Sequence, residues 1–189
     1  MVLPIVTYGH PVLRQKGARI DRITPEITSL IADMLDTMRD AHGVGLAAQQ
    51  IGRALQLTVI DVTGIEDRPS TLELDGQPAA PESIMPLVLI NPEVKPLAEP
   101  VAGPEGCLSF PEIYFDVTRA ERVAVTALNE KGETISFTCC GLLARAVQHE
   151  TDHLNGVLFI DYLSKNAKAK LKGELDELVY LTQRELSQR

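Results

Sequence analysis

Apolar residues first recur at helical spacing at Ile27, Leu30, Ile31, Met34, Leu35 and Met38, which puts them on one face of one helix. The start of that helix is marked in the sequence. Thr24 can cap it, Pro25 suits the first helical position, and Glu26 complements the positive end of the dipole. His42 and Gly43 end it. Small residues follow over positions 43–50, and an apolar run then predicts a strand over 55–62, with another over 87–91. Polar and apolar positions alternate over 122–128, with Val123, Val125 and Ala127 on one face. A turn at 129–132 and renewed alternation over 133–138 complete a hairpin. Gly141 opens a second helix, which Asn155 and Gly156 close. A last helix begins near Ser164, with Leu171, Leu175, Leu178 and Leu186 on one stripe.

Residues 64–86 break this pattern. Pro69, Pro78, Pro81 and Pro86 are interspersed with Glu66, Asp67, Glu73, Asp75 and Glu82, which reads as an excursion of loop chemistry with a short hairpin at Asp75 and Gly76. A second loop is expected over 92–104. The order helix, strands, helix, helix predicts an α+β fold. Mainly antiparallel sheets pack around the helix that follows Gly141, a further helix lies at the C-terminus, and one domain spans residues 1–189.

The composition narrows the function classes. Hydrophobic residues are 44% and charged residues 23% of 189, an ordinary globular balance. The net charge of -8 argues against direct DNA binding, because phosphate contacts need a cationic surface. The most apolar stretch, residues 84–90, is too short to span a membrane, and residues 1–10 lack the pattern of a secretory signal. Cys107, Cys139 and Cys140 make an odd set with two neighbours, a poor disulfide framework, so a reducing cytoplasm is expected.

The second helix carries H-E-x-x-H at residues 149–153. Residues four apart stand on the same helix face, so His149 and His153 can both reach one metal ion, with Glu150 beside it as a candidate general base. The pattern points to hydrolysis by a metal-bound water. Helix phase puts Leu142, Arg145 and Ala146 on the same side as the two histidines. The bland alternative is a chance string on an amphipathic helix.

A catalytic site of this kind needs a third protein ligand. Asp161, Glu174, Asp176, Glu177 and Glu185 lie downstream, but four of them read as the solvated face of the last helix. Upstream, Cys107 between Gly106 and Leu108 offers a thiolate, although a free cysteine read alone is more often a small buried hydrophobe. Gln50 offers an amide donor able to hold an oxyanion, or is the exposed end of a tight connection.

Three segments in order resemble the peptide deformylases: G-x-G-x-A-A-x-Q at residues 43–50, E-G-C-L-S at 105–109 and Q-H-E-x-D-H at 148–153. All three match in full, and the flanks at 3–14, 141–145 and 153–161 are similar, so the resemblance covers nearly the whole chain. It implies one divalent metal held by Cys107, His149 and His153. Fe(II) is the family's usual ion, and Zn(II), Ni(II) or Co(II) can substitute. It implies that Glu150 is the general base in hydrolysis of N-formylmethionyl nascent peptides to formate and a free N-terminal methionine, with the oxyanion held by the Leu108 N–H, Gln50 and the metal. Val44, Gly45, Gly106, Leu142 and Ala146 are the expected substrate contacts, with Arg145 at the mouth of the slot, its stem packed and its head in solvent.

Residues 64–86 look longer than is usual in the family, and Phe110 stands where a smaller aliphatic residue is more usual, so it is expected to reshape the peptide groove. Lys165, Lys168, Lys170 and Lys172 open the last helix. They read as a solvated face diluted by Glu174, Asp176 and Glu177, while the resemblance implies ribosome docking through that helix. Two rival functions stand beside this reading. A zincin-type endopeptidase would take its third ligand elsewhere than Cys107. A copper or electron-transfer site would leave Glu150 without a purpose.

Overall fold

The computed structural model describes residues 1–189. It is α+β with mainly antiparallel sheets and a C-terminal helix. Helix α1 spans Pro25–Asp40, and Thr24 caps it by accepting from the Ile27 N–H at 3.3 Å. The chain reverses at His42, whose φ of 55° is in the left-handed region. It then forms β1 (Gly45–Ala47) and, after a single 3-10 turn, β2 (Leu57–Ile60). Next come β3 (Ser70–Leu74), β4 (Gln77–Ala79), β5 (Leu87–Pro96), β6 (Pro100–Cys107), β7 (Phe110–Ala120), β8 (Arg122–Leu128) and β9 (Thr134–Gly141). Helix α2 (Leu142–Leu154) follows directly, and α3 (Lys165–Ser187) closes the fold.

Seven strands form one sheet in the order β1-β2-β5-β8-β9-β3-β4, and β6 and β7 form a separate two-stranded ribbon. The strand period of two explains the layers. On β2 and β5, Leu57, Val59, Val88 and Ile90 face α1, where Leu30, Ile31, Met34 and Met38 are buried. Ile60, Leu87 and Leu89 face the other way, into a cluster with Leu143, Ala144 and Val147 of α2. These strands are covered on both faces, so their sequence over 57–60 and 87–90 is an apolar run rather than an alternating one, broken only by Thr58, whose buried hydroxyl donates to the Leu46 carbonyl. On β8 the inward set is Val123, Val125 and Ala127, as its alternation predicts. A third cluster joins Phe110, Ile113 and Val117 of β7 to Phe159 and Ile160. Leu171, Leu175 and Leu178 of α3 pack against it.

Three sequence expectations change. Residues 64–86 are not an excursion. Their hairpin, turning at Asp75 (φ 50°) and Gly76 (φ 74°), is the edge of the large sheet, because β3 pairs with β9 from Ser70↔Gly141 to Glu73↔Thr138. Leu72, 2% exposed, is its single fully buried side chain, too weak a period-two signal to stand out among prolines. Residues 92–104 are not a loop: β5 runs on to Pro96 and β6 begins at Pro100. A two-stranded ribbon leaves one edge of each strand without a partner, so Pro100 and Pro104 are tolerated within β6. The strand expected over 55–62 is confined to Leu57–Ile60.

Candidate metal centre

Cys107 ends β6 at the tight turn into Phe110, and His149 and His153 stand one turn apart on α2. The fold brings the ligand atoms of these three residues within 4.8 Å of one another. Cys107 Sγ lies 3.3 Å from His153 Nε2. The two imidazole centroids are 5.0 Å apart, and both rings are buried. One sulfur and two imidazole nitrogens suit a borderline divalent ion such as Zn(II) or Fe(II). The orientation of His149 supports the fit, because its Nδ1 is engaged by Glu105 Oε1 at 2.7 Å and its Nε2 is left for a ligand.

Glu105 is the hub of a buried polar network. Arg119 grips it with two nitrogens, Nε to Oε2 at 2.9 Å and Nη2 to Oε1 at 3.0 Å, and Arg145 Nη1 adds a third bond at 2.9 Å. Burial alone would raise this carboxyl, but the hydrogen bonds from His149 and Arg119 outweigh it and hold it at about 2. Arg119 reaches on to Asp152 Oδ2 at 2.5 Å, which also accepts from the Tyr162 hydroxyl at 2.7 Å. Sequence reasoning missed this network. Arg119 lies in a strand without a strong pattern. The one available signal was Glu105, an acidic residue two positions before a proposed ligand.

Glu150 is 5% exposed and its Oε2 has no hydrogen-bond partner. Burial pushes its carboxyl up to about 7, against the pull of His149. Only glycine fits opposite it: a Cβ on Gly45 would stand 2.6 Å from Glu150 Oε1. Gln50 is buried, not exposed. Its Oε1 accepts from the Ala47 N–H at 2.9 Å, and its Nε2 points to Ser109 Oγ at 3.2 Å and Cys107 Sγ at 3.5 Å. The Leu108 N–H, in the turn between β6 and β7, meets no backbone acceptor.

A cavity of about 450 Å³ opens beside these groups, and Val44, Gly45, Gly106, Leu142, Arg145 and Ala146 all border it, as do Gln50, Cys107, Leu108, His149 and Glu150. Arg145 departs from expectation. Its head is not in solvent but buried, bound to Glu105, to the Val117 carbonyl at 2.6 Å and to the Val101 carbonyl at 2.8 Å. The β6–β7 ribbon supplies those carbonyls, and that ribbon was invisible in the sequence pattern. Phe110 does not shape the groove. It is 1% exposed and stacks on Tyr8 at 4.8 Å, with Phe159 edge-on at 5.0 Å.

The polypeptide deformylase family model matches residues 2–169. The peptide deformylase of Methylacidiphilum infernorum is 47% identical over 178 residues, 94% of this chain and 93% of that one. That of Opitutus terrae is 45% identical over 184 residues, 96% and 95% of the two chains. Among solved structures, a peptide deformylase from Legionella pneumophila matches with a TM-score of 0.79 at 37% identity, over 97% of this chain and 99% of that one. One from Synechococcus elongatus in complex with actinonin matches with a TM-score of 0.74 at 38% identity, over 96% and 86%. Likeness of this extent, in sequence and in fold alike, means that the chain belongs to the peptide deformylase family.

Proposed function

We propose that this chain hydrolyses the formamide bond of N-formylmethionyl polypeptides, with Cys107, His149 and His153 holding one divalent ion and Glu150 moving the proton. Fe(II) is the ion the family resemblance implies, with Zn(II), Ni(II) or Co(II) as substitutes. When bound, it supplies Lewis acidity to water and to the formyl carbonyl.

The protein's own groups do the rest. Glu150 Oε2, unpartnered within the site, takes a proton from water as the new C–O bond forms. A carboxyl whose burial favours its protonated form can also return that proton, and it goes to the leaving amine nitrogen as the C–N bond breaks. Gln50 and Leu108 both border the cavity beside Cys107, and the Gln50 Nε2 and the Leu108 N–H would donate to the oxyanion that develops. The Ala47 N–H holds the Gln50 oxygen, so the amide presents its nitrogen and not its oxygen. The products are formate and a polypeptide with a free amine.

The methionine side chain takes the slot between Val44, Gly106, Leu142 and Ala146, with Arg145 walling it through its stem. The peptide backbone lies extended between residues 44–45 and the strand end at Gly106, as an added strand. Sheets packed around the H-E-x-x-H helix keep these walls rigid. Lys165, Lys168 and Lys170 are exposed at the start of α3, and a ribosome contact there would keep the enzyme near its substrate in the cytoplasm. No helix is long and apolar enough to cross a membrane.

The observation that carries this reading is the meeting of the Cys107 sulfur with the imidazoles of His149 and His153, at a cavity that Cys107, His149 and the buried Glu150 border. Protein loaded anaerobically with Fe(II) should release formate from formyl-Met-Ala-Ser, and Glu150→Gln should not. No formate from the metal-loaded wild type would reject the assignment.

A further inference from the structure

Residues 61–69 join β2 to β3, and the chemistry above gives them no task. Their last two residues are pinned to the rim of the cavity. The Pro69 carbonyl accepts from the Leu142 N–H at the start of α2 (3.3 Å), and Arg68 Nη2 donates to the Pro104 carbonyl of β6 at 2.9 Å. The segment thus spans the gap between α2 and β6, and Arg68 becomes part of the cavity wall with Pro104, Gly106, Tyr114 and Leu142.

The charge of Arg68 is unanswered within the chain. The other arginine of the wall, Arg145, is neutralised by Glu105 at 2.9 Å. Arg68 has one bond, to a neutral carbonyl, and its remaining guanidinium donors have no protein acceptor. It is half-buried, whereas Glu112, which also borders the cavity, is exposed. Glu112 makes no ion pair with Arg68, so the guanidinium is left to meet an anion that enters the cavity. A guanidinium with free donors matches a carboxylate in geometry as well as charge.

We propose that Arg68 is a specificity-determining residue that favours N-formylmethionyl peptides with an acidic side chain in the first two positions after the methionine. The inference rests on the deformylase reading of the cavity. It also gives the β3 connection a function: that segment delivers one cation to the substrate's path.

The test compares kcat/KM of the metal-loaded enzyme on formyl-Met-Ala-Ala and on peptides with Asp or Lys in place of either alanine. Wild type should favour Asp over Lys at one of the two positions by on the order of tenfold at low salt, with the preference shrinking as salt rises. Arg68→Glu should invert that order, Arg68→Gln should flatten it, and Arg68→Lys should keep its direction. Circular dichroism confirms that each variant is folded, and Arg68→Gln carries the test if Arg68→Glu is not. Turnover of formyl-Met-Ala-Ala without an acidic preference overturns the role of Arg68 alone. So does a preference that survives Arg68→Gln, or an equal loss on every peptide. No turnover of any peptide by wild type instead rejects the reading on which the proposal rests.

Discussion

Glu105 Oε1 lies 2.7 Å from His149 Nδ1, and this contact leaves Nε2 as the imidazole nitrogen that faces the candidate metal centre. Arg119 and Arg145 keep Glu105 ionised, and a carboxylate can only accept. His149 therefore carries a proton on Nδ1, which leaves Nε2 as the nitrogen that a metal ion would take. A carboxylate behind an imidazole also raises its basicity as a ligand.

Glu105→Gln should lower metal affinity by roughly 10- to 100-fold, because the amide neither selects the tautomer nor polarises the ring as well. Competition against a chelator measures this without reference to activity. Unchanged affinity would mean that Glu105 serves only to neutralise the two arginines.

Cys107→Ser should remove most of the bound metal from protein purified at neutral pH, since a serine hydroxyl remains protonated where a thiolate binds. Metal analysis of the purified variant is the check. Retention of one ion per chain would favour the endopeptidase alternative, with its third ligand elsewhere.

Gly45→Ala should cripple turnover while leaving metal content intact. The new methyl would sit 2.6 Å from Glu150 Oε1 and 2.9 Å from its Cγ, so the buried carboxylate must move. Displacing a general base typically costs about 10²–10⁴-fold in kcat. A variant that keeps the wild-type kcat would show that Glu150 has no need of its present position.

Arg14 holds Asp161 through two bonds, at 2.7 and 2.9 Å. Burial opposes ionisation of Asp161, but the hydrogen bonds from Arg14 and from the Leu158 N–H outweigh it and lower its carboxyl below the usual value. A depressed folded-state value contributes stability above the unfolded aspartate pKa of about 3.9, and that stability is lost as pH falls through the lower folded value. Both side chains are more than a third exposed or close to it, so solvent screening limits the pair to about 1 kcal/mol or less. In urea unfolding, Asp161→Asn should be less stable than wild type at pH 7, and the gap should close as the pH is taken below about 4. A gap that is independent of pH would assign the effect to packing.

Several features were legible because they are local. Thr24 and Pro25 mark the start of α1 by their own chemistry. The alternation of Val123, Val125 and Ala127 exposes β8 because one face of it is apolar and the other is not. The β6–β7 ribbon was hidden for the converse reason. Its glycines and prolines carry no period, and its pairing from Pro100↔Ala120 onward depends on partners up to twenty positions away along the chain.

By itself, the sequence determined the spacing of His149 and His153 on one helix face, since the period of the α-helix acts within four residues. It also determined, through three ordered motifs, the resemblance that singled out Cys107 and Gln50. Only the tertiary structure decided that Arg119, Arg145 and His149 converge on Glu105, that Phe110 turns into the core, and that Arg68 reaches the cavity wall. Each of these depends on where a side chain stands relative to strands distant in sequence. Such placements follow from how the whole chain buries its apolar faces and pairs its buried charges, which no local pattern encodes.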